Sequence, residues 1–84
     1  MTAEATPRLG TVEDLLREVA RLPETGDPHF YNLWVPEILT FNGETVQEAV
    51  AIAIVGEAFS KKGYSRKSFE TAPGGRLYRY ARRD

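Results

Sequence analysis

Apolar side chains recur along the chain in two rhythms, and the switches between them divide it into elements. Val12, Leu15, Leu16, Val19 and Leu22 follow one another at three- and four-residue steps, the spacing of one face of an α-helix. Thr11 stands at the capping position with Asp14 three residues on, and Glu13 and Asp14 suit the positive end of the helix dipole. Pro23 ends this helix, and residues 23–28 (PETGDP) make a turn-rich connector.

Over residues 30–41 (FYNLWVPEILTF) the rhythm shortens to two. Tyr31, Leu33, Val35, Leu39 and Phe41 line one face of an extended chain, with Glu37 the interruption. Pro36 has no amide hydrogen to donate, so it marks an edge strand or a bulge; a helical turn over 36–39 is the competing reading. Asn42-Gly43 is a turn.

Thr45 and Glu48 have capping-box spacing and open a second helix running to about Lys62. Lys61 and Lys62 would sit at its negative end, with Gly63 as its C-cap. Residues 49–56 (AVAIAIVG) carry no polar side chain, which a buried strand would also satisfy; the length and the caps favour a helix. On a helical wheel Val46, Val50 and Ile54 form one stripe, and Ile52, Val55 and Phe59 a second. Two stripes need two coverings. A sheet and the first helix can supply them, and any shortfall would need a partner subunit.

Residues 64–71 and 76–83 flank Ala72-Pro73-Gly74-Gly75 and read as a β-hairpin. The second strand alternates, with Arg76, Tyr78, Tyr80 and Arg82 on one face and Leu77, Arg79, Ala81 and Arg83 on the other. The expected fold is α+β: a small antiparallel sheet of one strand plus the C-terminal hairpin, packed on a central buried helix, with the amphipathic helix N-terminal to it. Residues 11–84 make one domain, preceded by a loose arm over residues 1–10.

Composition narrows the chemistry. The 84 residues, 42% hydrophobic and 27% charged, are those of a small globular domain rather than a disordered chain. The absence of cysteine excludes disulfides and thiolate metal sites, and His29 is the single histidine. No cofactor or metal is expected. No stretch is long and apolar enough for a bilayer, and residues 1–10 lack the pattern of a signal peptide, so a cytoplasmic chain without a membrane partner is expected. Ser60, Ser65 and Ser68 have no histidine nearby in sequence to activate them. Gly74-Gly75 precedes a strand, not the helix a phosphate cradle requires. The carboxylates cluster at helix starts, where capping and solvation account for them. No enzymatic activity is expected.

Charge is divided unevenly. Residues 1–59 carry three cations against ten anions, a net of −7; residues 60–84 carry eight cations against two anions, a net of +6. Salt screens beyond about 8 Å, so a ligand at the basic end is attracted by the local field rather than the overall charge. The cations Lys61, Lys62, Arg66, Lys67, Arg76, Arg82 and Arg83, with Tyr78 and Tyr80, form a candidate nucleic-acid or anion surface. Two other accounts compete with it: the tyrosines pack on the second helix, or the basic tail complements the acidic helices.

The hairpin from Gly63-Tyr64 onward resembles the wing of winged-helix DNA-binding domains, although residues 49–56 lack the polar side chains of a recognition helix. Trp34-Val35-Pro36-Glu37-Ile38 followed by Gly43-Glu44-Thr45-Val46-Gln47-Glu48-Ala49 resembles the strand-to-helix junction of HicB-type antitoxins. That resemblance implies a small sheet covered by a helix. The preferred expectation for function is a small non-enzymatic interaction or regulatory module that binds a protein partner or itself. The alternative is nucleic-acid binding through the basic, tyrosine-containing hairpin.

Overall fold

The computed structural model describes residues 8–83, arranged as α1 (Val12–Ala20), β1 (Phe30–Pro36), β2 (Ile38–Phe41), β3 (Glu44–Gln47), α2 (Glu48–Lys61), β4 (Tyr64–Ala72) and β5 (Gly75–Arg82). The fold is α+β, with antiparallel pairing in both sheets. The first sheet has the order β1-β5-β4, so the last strand in sequence lies at its centre. The second sheet is the hairpin β2-β3. Among the described residues no helix is long and apolar enough to cross a membrane.

α1 forms as its sequence dictates. The Thr11 hydroxyl accepts a hydrogen bond from the Asp14 amide at 3.1 Å, and Val12, Leu15 and Val19 are buried. The expected arm falls mostly on residues 1–7, outside the described residues. Its last positions are engaged: Leu9 packs against the core, and the Gly10 carbonyl accepts from the Thr40 amide at 3.2 Å.

The stretch expected as one strand is two. Pro36 is the last residue of edge strand β1, opposite Gly75, and the chain changes sheets at Glu37 instead of bulging or making a helical turn. The Glu37 amide donates to the Gly74 carbonyl at 3.0 Å, and the Glu37 carbonyl accepts from the Glu48 amide at 3.0 Å. One residue thereby ties both sheets to the start of α2. Gly75 lies so close to β1 that a Cβ would collide with the Val35 carbonyl oxygen, stand 2.8 Å from Pro36 Cα and 2.9 Å from Trp34 Cζ2.

The expected capping box does not form. Asn42 and Gly43 both have positive φ, 53° and 80°, the combination that closes a two-residue hairpin. Thr45 therefore pairs with Thr40 in the β2-β3 ladder, and α2 begins at Glu48 with Gln47 as an N-cap lacking any side-chain bond. Its other end is as expected, since Gly63 follows the last turn with φ +90°.

α2 buries Ala51, Val55 and Phe59 completely. Phe59 stacks on Tyr80 of β5, ring centroids 3.6 Å apart and planes 9° from parallel. Full burial of such a ring stabilises the fold by about 1.5–3 kcal/mol before the stacking itself is counted. Ile52, Ile54 and Ala58 are partly buried against the same core, whereas Val50 remains 48% exposed. The expectation that Val50 shares a covered stripe is thus corrected. α1 and the sheet do not reach that side of the helix.

β4 is the other edge of the first sheet. A bulge between Arg66 and Ser68 leaves Lys67 out of register, and residues 66–71 are exposed. A bulged edge carrying a lysine resists the addition of a further strand.

Candidate functional site

β5 alternates as its sequence predicts, and the face carrying Arg76, Tyr78, Tyr80 and Arg82 turns toward α2. Tyr78 is 1% exposed and Tyr80 3% exposed. Neither ring can serve as a platform for bases, which corrects their place in the candidate nucleic-acid surface. Leu77 and Ala81 offer less apolar area than two tyrosines, and the sheet places the larger rings over the helix.

Most of the cations expected on that surface are engaged with the protein. Lys62 donates to the Ala20 and Leu22 carbonyls, at 2.9 and 2.8 Å, and so caps the end of α1 as well as closing its own helix. Arg82 donates to the carbonyls of Pro28, at 3.0 Å, and Gly26, fastening the connector to the central strand. Arg83 donates to the Tyr64 carbonyl at 3.3 Å and the Ser60 carbonyl at 3.1 Å. These bonds go to carbonyl oxygens. Among the described residues Arg76–Glu48, at 3.5 Å, is the one ion pair joining the basic and acidic parts of the chain. The side chains of Lys61, Arg66 and Lys67 make no hydrogen bond or ion pair among the described residues, and all three are exposed; the Arg66 guanidinium lies 5.4 Å from the Tyr78 ring centroid. Arg79, not singled out from the sequence, is also exposed and covers Phe30 on the opposite face of the sheet, 4.5 Å from that ring.

Two of the molecule's concave surfaces flank β5 and α2. The first, about 370 Å³, lies at the start of α2 between Ile38, Ala49, Thr71 and Arg76. Glu48 anchors it, with its side chain 15% exposed, accepting a hydrogen bond from the Tyr78 hydroxyl while pairing with Arg76. Burial, reinforced by the hydrogen bond to Glu48, raises the Tyr78 pKa. The hydrogen bond with Tyr78 and then the Glu48 charge hold the Arg76 pKa above its usual value. Arg76 also spans Phe69, its guanidinium 5.1 Å from the ring centroid. Ile38, Val50 and Phe69 are 59%, 48% and 49% exposed. Two of them border the cleft: Ile38 lines it, and Phe69 lies beneath Arg76, which also lines it. Glu37, which also lines it, is exposed.

The second surface is a groove of about 500 Å³ between α2 and β4, lined by Ile52, Gly56, Ser65, Arg66, Tyr80 and Arg83 among others. Neither surface brings together three or more His, Asp or Glu side chains able to hold a metal ion, nor does any other group among the described residues. Comparisons with protein-family models, curated proteins and solved structures found no match for the chain.

Proposed function

We propose that the chain is a small non-enzymatic interaction module, and that the cleft at the start of α2 is the face with which it binds a second copy of itself. The observation that carries this reading is that Ile38 and Phe69, two of the four large hydrophobic side chains that are exposed among the described residues, border one concavity, Ile38 in its lining and Phe69 against the lining residue Arg76. Scattered apolar side chains need no explanation, but two bordering a single cleft do. The charges favour self-association in particular. Glu37 and Arg76 line the same cleft, and an acid beside a base on one patch is self-complementary under a twofold axis, each residue meeting the other type on the second copy. The nucleic-acid alternative retains Lys61, Arg66, Lys67 and Arg83 as exposed cations, but its two tyrosine rings are buried.

Sedimentation equilibrium over a wide protein concentration range tests the proposal. A reversible dimer is expected. Ile38→Asp combined with Phe69→Asp should leave a folded monomer, and the charge exchange Glu37→Arg with Arg76→Glu should restore association weakened by Arg76→Glu alone. A wild-type chain that stays monomeric throughout would remove the reading.

A further inference from the structure

The groove between α2 and β4 contains a polar group that the fold leaves unused. The hydroxyls of Tyr31, Tyr64 and Tyr78 donate to Glu18, Pro23 and Glu48 respectively. The Tyr80 hydroxyl has no such partner among the described residues, although Tyr80 is only 3% exposed. A hydroxyl that makes no hydrogen bond within the chain is free to donate to a group that enters the groove it lines. Its position is defined: the oxygen lies 3.9 Å from where a Cβ would stand on Gly56, and both residues line the groove. Glycine at 56 leaves the space above the hydroxyl open.

The rest of the lining is suited to an anion. Arg66 is directly across the β4-β5 ladder from Tyr80, and its charge acts on the phenol. Arg83 lines the same groove, held there by its bonds to the Tyr64 and Ser60 carbonyls. Ser60 and Ser65 also line it, and among the described residues no acidic one does. Burial raises the Tyr80 pKa to about 12 despite the opposing pull of Arg66, so the phenol is a proton donor at neutral pH.

We propose that this groove is an oxyanion site that takes a phosphoryl group, with Tyr80 donating from the floor and the Arg66 and Arg83 guanidiniums supplying the charge. A phosphoryl group presents several acceptor oxygens, matching donors that converge from β4, the end of β5 and the floor; guanidinium forks suit such oxygens. The volume falls within the range of small-molecule sites, roughly 300–1,000 Å³, and Ile52 and Ala53 offer an apolar wall for the organic part of a phosphomonoester.

Amide NMR titrations of the intact chain, at constant ionic strength, test this with inorganic phosphate, phenyl phosphate and a single-stranded oligonucleotide as probes. Phosphate and phenyl phosphate should shift the amides of Gly56, Ser65 and Arg66 saturably, with phenyl phosphate the tighter. Tyr80→Phe should weaken both by roughly tenfold or more, the loss expected for a hydrogen bond to a charged group. Because phenylalanine keeps the ring stacked on Phe59, this variant should melt no lower than wild type, which separates lost binding from lost folding. Arg66→Gln should abolish saturation. An oligonucleotide that displaces phenyl phosphate from those amides would identify the phosphoryl source as a nucleic-acid backbone; one that leaves them unmoved would identify it as a small phosphomonoester. Absence of saturable shifts with phosphate and phenyl phosphate, or undiminished binding by Tyr80→Phe, would overturn the proposal.

Discussion

Replacing Gly75 with alanine adds one methyl group where the β5 backbone lies close against β1. That methyl would collide with the Val35 carbonyl oxygen and stand 2.8 Å from Pro36 Cα and 2.9 Å from the Trp34 indole. Two of the three obstacles are backbone atoms of β1, held by its ladder to β5, and the third belongs to a ring only 6% exposed. None is the free end of a flexible side chain, so relief requires β1 to move away from β5. Overpacking of this kind costs about 1–3 kcal/mol, and a backbone obstacle puts the cost at the upper end, about 3 kcal/mol. For a domain of this size that lowers the melting temperature by roughly 12–24 °C, at about 4–8 °C per kcal/mol. Urea unfolding followed by circular dichroism and by Trp34 fluorescence measures the loss, the indole reporting from the crossing itself. Gly43→Ala is the control: nothing lies within 4 Å of its Cβ, and its φ of +80° alone costs about 1–2 kcal/mol. A Gly75→Ala loss no larger than that of Gly43→Ala would refute the steric argument.

Lys62→Met should cost about 1.5–3 kcal/mol, because the Ala20 and Leu22 carbonyls both lose a charged donor; hydrogen exchange should quicken at the end of α1 before it does in the sheet. In alkali, the unfolded chain ionises its tyrosines near the ordinary value of 10.0, while Tyr80 in the fold holds its proton to about 12. Between those values the folded state binds more protons than the unfolded state. Stability contributed below pH 10 is therefore lost as pH rises toward 12, and the raised pKa values of Tyr78 and Tyr31 add to the loss. Urea midpoints that stay constant from pH 9 to about 12 would contradict this. Tyr80→Phe should flatten part of the slope.

The two helices were legible where local chemistry acts alone. Thr11 caps α1 because no neighbouring strand claims its backbone ladder beyond a single bridge to Thr40. Thr45 offered the same signal and was claimed by β2, since Asn42-Gly43 favours a tight hairpin over a loop into a helix. The outcome there depends on which of two local preferences the tertiary pairing rewards. The direction of Tyr78 and Tyr80 was not readable from alternation, because both faces of β5 carry apolar groups and only Phe59 and Val55 on α2 decide between them. The basic run was legible as charge but not as chemistry. Carbonyls from the end of α1, the connector and the end of α2 take up Lys62, Arg82 and Arg83, and no sequence pattern announces a carbonyl as a partner. The unpartnered Tyr80 hydroxyl is likewise a property of the packed state.

The strand order has a consequence for biosynthesis. β1 and β4 both wait for β5, which is translated after them, and no ladder joins them directly. The three-stranded sheet therefore cannot assemble on the ribosome until β5 has emerged. Until then β1 and β4 carry unsatisfied edges, and α2 presents Ala51, Val55 and Phe59 without the three-stranded sheet to cover them. During synthesis, cover for that helix falls to α1 and the β2-β3 hairpin, elements already made that pack against it.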